Sequence, residues 1–292
     1  MEAVIGALSA MHWRLLPVLG GLAVLHYLFA AIALRAAAGT TLPLRRTMLT
    51  QFTAAAASRF TPGGLGGTAV NIRYLNVHGC SLPTAVMAVS AQHAALWAAE
   101  VLVLLIAIAF THDVQAFRLV TDQAAALWQG ITHPGVAVCF AAAVVLIVTA
   151  LVLMARRTGK RAVLAWFDAL RDLAHRPRDL CVLMASSLAV AAVLGLAFGL
   201  SVLAVPGTQV SPDHLGVLFG AYIVGSAAGS AVPVPGGIGT AEAAFTGALV
   251  AVGIAAVPAL QAVLIFRAVT FWAPVPVGIA AVRMAAARPQ PV

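Results

Sequence analysis

Four charged side chains, Arg59, Glu100, Glu242 and Arg267, sit in or beside long apolar stretches of this sequence. A charge at the centre of a membrane helix costs about 2.5–3.5 kcal/mol, so each is expected to face protein or a water-filled cavity. Arg267 falls near the middle of an apolar run. Its guanidinium suits bidentate hydrogen bonding to an anionic headgroup, and the alternative role is structural, as the partner of Glu242 or Glu100. Glu242 occupies the first turn after a glycine string, where a carboxylate favours the helix dipole; capping therefore competes with ion or proton coupling as its role. His93, Trp97 and Glu100 fall at i, i+4 and i+7 of one helix face, which fits either a His–Glu proton relay or a bundle-interior pair.

The string Pro-Gly-Gly-aliphatic-Gly occurs twice, as Pro62-Gly63-Gly64-Leu65-Gly66, followed by Gly67, and as Pro235-Gly236-Gly237-Ile238-Gly239. A continuous helix through either copy would be penalised by roughly 6 kcal/mol, from one proline at about 3 and three glycines at about 1 each. Each string is therefore expected to break its apolar stretch and to start a new helix with unpaired N–H groups and a positive dipole end. Such an end binds anions, and phosphate is the anion a bilayer offers. Arg59 and Arg73 flank the first string, where they either attract headgroups or snorkel to the interface. The expected substrate-binding set is thus Arg59, Pro62, Gly63, Gly64, Gly66, Gly67, Arg73, Pro235, Gly236, Gly237, Gly239, Glu242 and Arg267, with His93 and Glu100 as the relay candidates. A surface turn is the competing reading of either string alone; two matched copies favour re-entrant ends.

Nothing else in the chain suggests catalysis. There is no nucleophile–base pair, no paired-carboxylate spacing and no nucleotide fingerprint around the glycines, so neither an enzyme nor a cofactor is expected. Cys80, Cys139 and Cys181 form no metal-ligand spacing, and their odd number argues against a disulfide framework. No metal is expected.

These residues need elements to position them, and composition says which. Of 292 residues 62% are hydrophobic and 9% charged, far from the soluble balance of about half apolar and a quarter charged. Five stretches are long enough to span a bilayer: Leu15–Leu34, Leu82–Phe110, Pro134–Met154, Leu180–Ala204 and Val257–Val282. The glycine strings interrupt two more, Thr47–Leu75 and Leu215–Ile254. A helix over Thr47–Phe60 would be about 21 Å long, short of the ~30 Å hydrocarbon core. No cleavable leader is expected, because no basic n-region precedes Arg14.

The net charge of +8 follows loop position, not a nucleic-acid surface. Arg156, Arg157, Lys160, Arg161, Arg171, Arg176 and Arg178 share one loop, which the positive-inside rule makes cytoplasmic. Counting spans from there, both interrupted stretches must return to the face they left, and Arg283 and Arg288 place the C-terminus in the cytoplasm. The expected fold is an all-α polytopic membrane protein in one domain, 1–292. Two inverted repeats of span, re-entrant hairpin and span, about 13–110 and 180–283, are joined by a linking span and basic loop over 111–179, with a disordered tail over 284–292. Pro83 and Trp97 share the spacing of Pro258 and Trp272, a register that sets Gln92 opposite Arg267. In the basic loop Val163, Trp166, Phe167, Leu170 and Leu173 follow helical spacing. They suit a helix lying in the headgroup layer or one packed under the bundle.

The sequence resembles the membrane domain of the lysylphosphatidylglycerol synthase transmembrane family. The residues that carry the likeness are Arg59-Phe-Thr-Pro-Gly-Gly-Leu-Gly-Gly67 with Asn71-Ile-Arg-Tyr-Leu75, Pro233-Val-Pro-Gly-Gly-Ile-Gly-Thr-Ala-Glu242, and Phe266-Arg-Ala-Val-Thr-Phe-Trp-Ala-Pro274. The resemblance implies the flippase-like part alone, without the soluble synthase domain, in a bacterial plasma membrane. Thr68 and Gln92-His93 depart from the acidic and Glu-Arg pattern of many relatives. The expected function is movement of an anionic or aminoacylated phospholipid, or a related glycolipid, between leaflets. The alternatives are secondary transport of a small soluble anion, and a non-catalytic subunit that anchors a lipid-modifying enzyme.

Overall fold

The structure is a computed structural model that describes residues 13–111, 164–208, 210, 214–231 and 234–286. Among these residues no strand occurs, and the elements are helices. After a short turn at Trp13–Leu15 come α1 (Leu16–Ala38), α2 (Leu44–Arg59), a 3-10 turn at Pro62–Gly64, α3 (Leu65–Val77) and α4 (Leu82–Thr111). Then follow α5 (164–174), α6 (Pro177–Leu203), α7 (Leu215–Ala231), a second 3-10 turn at Pro235–Gly237 and α8 (Thr240–Ala251). The described residues finish with α9 (Ala256–Arg267), a π-helical segment at Ala268–Trp272 and α10 (Pro274–Ala286). The expected span Pro134–Met154 lies outside the described residues. The helix α10 continues to Ala286, into the segment expected to begin the tail.

Among the described residues four helical stretches are long and apolar enough to cross a membrane: Leu16–Ala38, Leu82–Ile106, Pro177–Leu203 and Ala256–Ala281. They coincide with four of the five expected spans. Local sequence explains their limits. Gly39, at φ 63°, closes α1 by donating its N–H to the Arg35 and Ala36 carbonyls, a conformation that suits glycine. Pro177 opens α6 at a position where its missing N–H costs nothing. Val101, Leu102, Leu105 and Ile106 of α4 and Val257, Leu260 and Leu264 of α9 are exposed. In water such surface would drive association; in lipid it is the ordinary outer face of a bundle.

The helices flanking each glycine string pack on one another, α2 on α3 and α7 on α8. The broadest pairing joins α1 to α6, and both helices bury small residues, Ala31 and Ala37 on one and Ala191 and Ala197 on the other. Beyond these pairs, α4 lies against α7 and α10 against α2, while α1 meets α4 and α6 meets α9. Gly278 makes the α10–α2 approach possible, since a Cβ there would collide with the Phe52 carbonyl.

Two cores result. One gathers Leu19, Phe198, Tyr222, Phe245, Leu249 and Phe266. Its four aromatic rings lie with centroids 5.3–6.1 Å apart, a spacing in the range of favourable aromatic pairs. The other joins Leu34, Leu75, Met87, Val89 and Leu183 to Ala169 and Leu173 of α5. The amphipathic stretch therefore divides. Trp166, Ala169 and Leu173 pack under the bundle, whereas Leu164, Phe167 and Leu170 stay exposed.

Candidate functional site

The two glycine strings meet. The turn at Pro62–Gly64 lies against the turn at Pro235–Gly237. Gly63 and Gly64 (φ 61° and 71°) and Gly236 and Gly237 (63° and 58°) are left-handed, a conformation that explains the paired glycines in each copy. At Gly236 the lack of a side chain also lets the turns close, since a Cβ would stand 3.1 Å from the Arg59 carbonyl oxygen.

Arg267 is 4% exposed at the end of α9. Its Nε lies 2.8 Å from Glu242 Oε1 in an ion pair, and its Nη2 donates to the Gly236 carbonyl at 2.9 Å. Glu242 in turn accepts the Gly239 N–H on Oε2 at 2.7 Å and so caps α8. Both structural roles foreseen for this pair are thus occupied together. A buried guanidinium needs such partners, because an unpaired one carries a large desolvation cost.

Arg59 ends α2 and reaches across to the π segment. Its Nε donates to the Phe271 carbonyl at 3.3 Å, and its Cζ stands 3.5 Å from the centroid of the Phe271 ring. The Arg267 Cζ stands 4.0 Å from the same centroid. Both distances fall within cation–π range, so one ring serves two guanidiniums. One residue earlier, the Thr270 carbonyl accepts the Tyr27 hydroxyl at 3.5 Å. Pro274 explains why that carbonyl is available: four residues on, it has no N–H to complete the helical bond. The π turn is closed instead by the Ala273 N–H on the Ala268 carbonyl at 2.8 Å.

A cavity of about 350 Å³ opens at this junction. It is lined by Arg59, Arg267 and Phe271, by the string glycines Gly63, Gly64, Gly236 and Gly237, and by Tyr222, Phe245 and Phe266. Arg267 is paired with Glu242, whereas among the described residues no ion pair to Arg59 is found. A second cavity of about 230 Å³ lies on the other side of His26, Tyr27, Ser58 and Arg59, which line both. Gln51, Asn71, Gln92 and His93 contribute to its wall. Gln51 Nε2 donates to Asn71 Oδ1 at 3.0 Å, and Gln92 Nε2 to the Ala30 carbonyl at 3.0 Å. The register that set Gln92 opposite Arg267 thus corresponds to one residue on each cavity.

The remaining expected residues lie away from the junction. Gly66 and Gly67 serve helix packing: a Cβ on Gly66 would stand 2.5 Å from the Ala57 carbonyl, and one on Gly67 would collide with Ser58, although Gly67 also lines the second cavity. The helix-start amides are not all unpaired, since Thr61 Oγ1 takes the Gly66 N–H at 2.8 Å just as Glu242 takes that of Gly239. Pro62 and Pro235 open the two turns, and Arg73 is exposed on α3 and lines neither cavity. His93 and Glu100 do not hydrogen bond; His93 lines the second cavity, Glu100 lies within electrostatic reach of Tyr222, and Trp97 between them is 70% exposed. Sequence reasoning passed over His26, Tyr27 and Phe271. A polar His-Tyr pair in mid-span was the available signal for the first two.

Residues 1–278 match the family model described as Lysylphosphatidylglycerol synthase TM region. The chain belongs to this family. Membership and the apolar helices together point to an integral membrane protein of lipid metabolism or translocation. No curated protein matches the chain.

Proposed function

We propose that this member of the family carries a phosphate-bearing lipid between leaflets as a flippase or scramblase. The observation that carries the reading is the pair of guanidiniums, Arg59 and Arg267, on one ring and one cavity where the two glycine strings meet, with a carboxylate, Glu242, paired to Arg267. Arg267 is buried and Arg59 half-buried, and side by side they suit a phosphate that spreads its charge over several oxygens. The neighbour pattern supports an inverted repeat with two re-entrant hairpins. Exchanging the halves maps α2–α3 onto α7–α8, α4–α7 onto α10–α2 and α1–α4 onto α6–α9, and leaves α1–α6 unchanged. On this reading the hairpin tips form the binding site, the halves rock about it, and Arg283 at the end of α10 faces the cytoplasm of a bacterial plasma membrane. Transport runs on a gradient or downhill, and no catalytic step is involved.

Liposomes holding the purified chain are expected to lose labelled anionic phospholipid to an impermeant quencher faster than empty ones. Rates equal to those of empty liposomes refute the proposal. Uptake of a soluble anion without lipid movement would assign the cavity to a secondary transporter instead.

The exposed Leu164, Phe167 and Leu170 beside Arg171 favour a second reading, in which α5 docks a lipid-modifying enzyme. Removing those three apolar side chains would then abolish recovery of the partner and leave lipid movement unchanged.

A further inference from the structure

Each glycine string carries an aliphatic residue at its fourth place, Leu65 in the first and Ile238 in the second, and the turns themselves do not call for it. The left-handed conformations fall on the glycines, whereas Ile238, at φ −68° and ψ 127°, has backbone that any residue adopts. Neither side chain is packed away: among the described residues Leu65 is 67% exposed and Ile238 56%. Yet the glycines that precede them line the cavities, Gly64 both of them and Gly237 the first.

Ile238 also stands beside the ring that carries both guanidiniums. A Cβ on Gly236 would meet Ile238 Cγ1 and Phe271 Cζ at 3.5 Å each, next to the Arg59 carbonyl oxygen, so all three crowd one point. Phe60 follows that carbonyl and is exposed; Trp272 follows Phe271, meets its ring edge-on at a centroid distance of 5.1 Å and is exposed too.

Exposed apolar side chains elsewhere on the bundle are its lipid-facing surface and need no other occupant. These four differ in what they adjoin. A soluble phosphate would use the guanidiniums and have nothing to lay on the apolar residues. A polar chain would lose hydrogen bonds to water against them and gain none. An alkyl amine would face Arg59 and Arg267 with a like charge. A ligand with an anion and a hydrocarbon chain joined through a few bonds meets both surfaces at once.

We infer that Phe60, Leu65, Ile238 and Trp272 form the contact for the hydrocarbon chain of a lipid whose phosphate lies at Arg59 and Arg267. The inference rests on the proposed anion site and adds the place where the chain leaves it. The glycines of each string then serve the headgroup side, and the aliphatic residue between them serves the chain.

The test uses the full chain in detergent and compares ethyl phosphate with hexyl phosphate, monoesters of equal charge that differ only in chain length. Each methylene taken out of water strengthens binding by up to about fourfold, so hexyl phosphate is expected to bind at least about tenfold more tightly. Leu65→Asn and Ile238→Asn should each cut that preference by about threefold or more. Unchanged affinity for ethyl phosphate would show that the variants are folded. Leu105→Asn, at an exposed apolar position that lines neither cavity, should keep the preference. Equal affinity for the two esters, a preference that survives both string variants, or one lost as readily in Leu105→Asn overturns the inference and leaves the anion site standing. No binding of either ester overturns both. A second measurement needs no substitution. Hexyl phosphate with a diazirine at the chain end should label residues 60–65, Ile238 or Trp272 on irradiation, and excess ethyl phosphate should suppress the labelling. Labelling confined to other residues, or indifferent to ethyl phosphate, overturns the inference as well.

Discussion

Replacing Glu242 by Gln would separate its two roles, because glutamine keeps an oxygen for the Gly239 N–H but removes the charge opposite Arg267. Two unit charges about 3 Å apart attract by roughly 5 kcal/mol at an effective dielectric of 20, before solvation is counted. Removing one partner of a buried pair typically costs about 3–5 kcal/mol, because the other is left buried and uncompensated. The Glu242 side chain is 19% exposed and water screens it in part, which places Glu242→Gln near the lower figure, about 3 kcal/mol. Glu242→Ala also removes the cap and should lose about 1 kcal/mol more. Unfolding of the detergent-purified protein, followed by tryptophan fluorescence across a denaturant series, reads both. The same substitution leaves two guanidiniums on the Phe271 ring with no counter-charge, so an added phosphate anion should take the place of the carboxylate. An anion at a hundred times its Kd should restore up to about 2.7 kcal/mol. A Glu242→Gln protein within about 0.5 kcal/mol of the unsubstituted chain would refute the argument from pair energetics. A destabilised one that no anion rescues would refute the claim that Arg267 is open to a ligand.

Other predictions follow from single contacts. Gly66→Ala sets a Cβ against the Ala57 backbone and should destabilise by about 1–3 kcal/mol in the same unfolding assay, whereas Gly20→Ala, with open space around it, should not. Phe271→Ala removes the surface that both guanidiniums cover; a loss of at least about 1 kcal/mol is expected, with slower lipid movement in the liposome assay. Arg73→Ala, at an exposed position lining neither cavity, should leave stability within about 0.5 kcal/mol and transport unchanged. Single cysteines at Ser81 and Pro206, both exposed, in an otherwise cysteine-free chain should label from opposite sides of the membrane; labelling from one side would break the inverted repeat.

Much of this arrangement was legible because its signals are local. Apolar length marked the spans, and the backbone demands of Pro-Gly-Gly marked both turns. Glu242 announced itself as a cap by standing three residues after Gly239. What stayed hidden were contacts between distant parts of the chain. Arg59 meets the carbonyl of Phe271, 212 residues away, and Tyr27 meets that of Thr270, 243 residues away. Neither pair leaves a periodic trace. Helical faces were also hard to read, since a helix with lipid on one side and protein on the other is apolar all round. Trp97 consequently points outward between two residues it was grouped with. Gly66 and Gly67 look the same in sequence whether glycine serves an anion or a crowded neighbouring helix; only the Ala57 and Ser58 positions tell them apart.

The wide turn at Ala268–Trp272 also sets the rotational phase of everything after it. Each residue of a regular helix advances by about 100°. Because that turn holds one residue more than a regular one, deleting a single residue there would restore ordinary winding and leave the end of the chain in nearly the same phase. Gly278 would still face the Phe52 carbonyl, whereas deleting two residues would turn it away and bring a side chain in its place. Among related sequences this stretch should therefore differ in length by one residue more readily than by two.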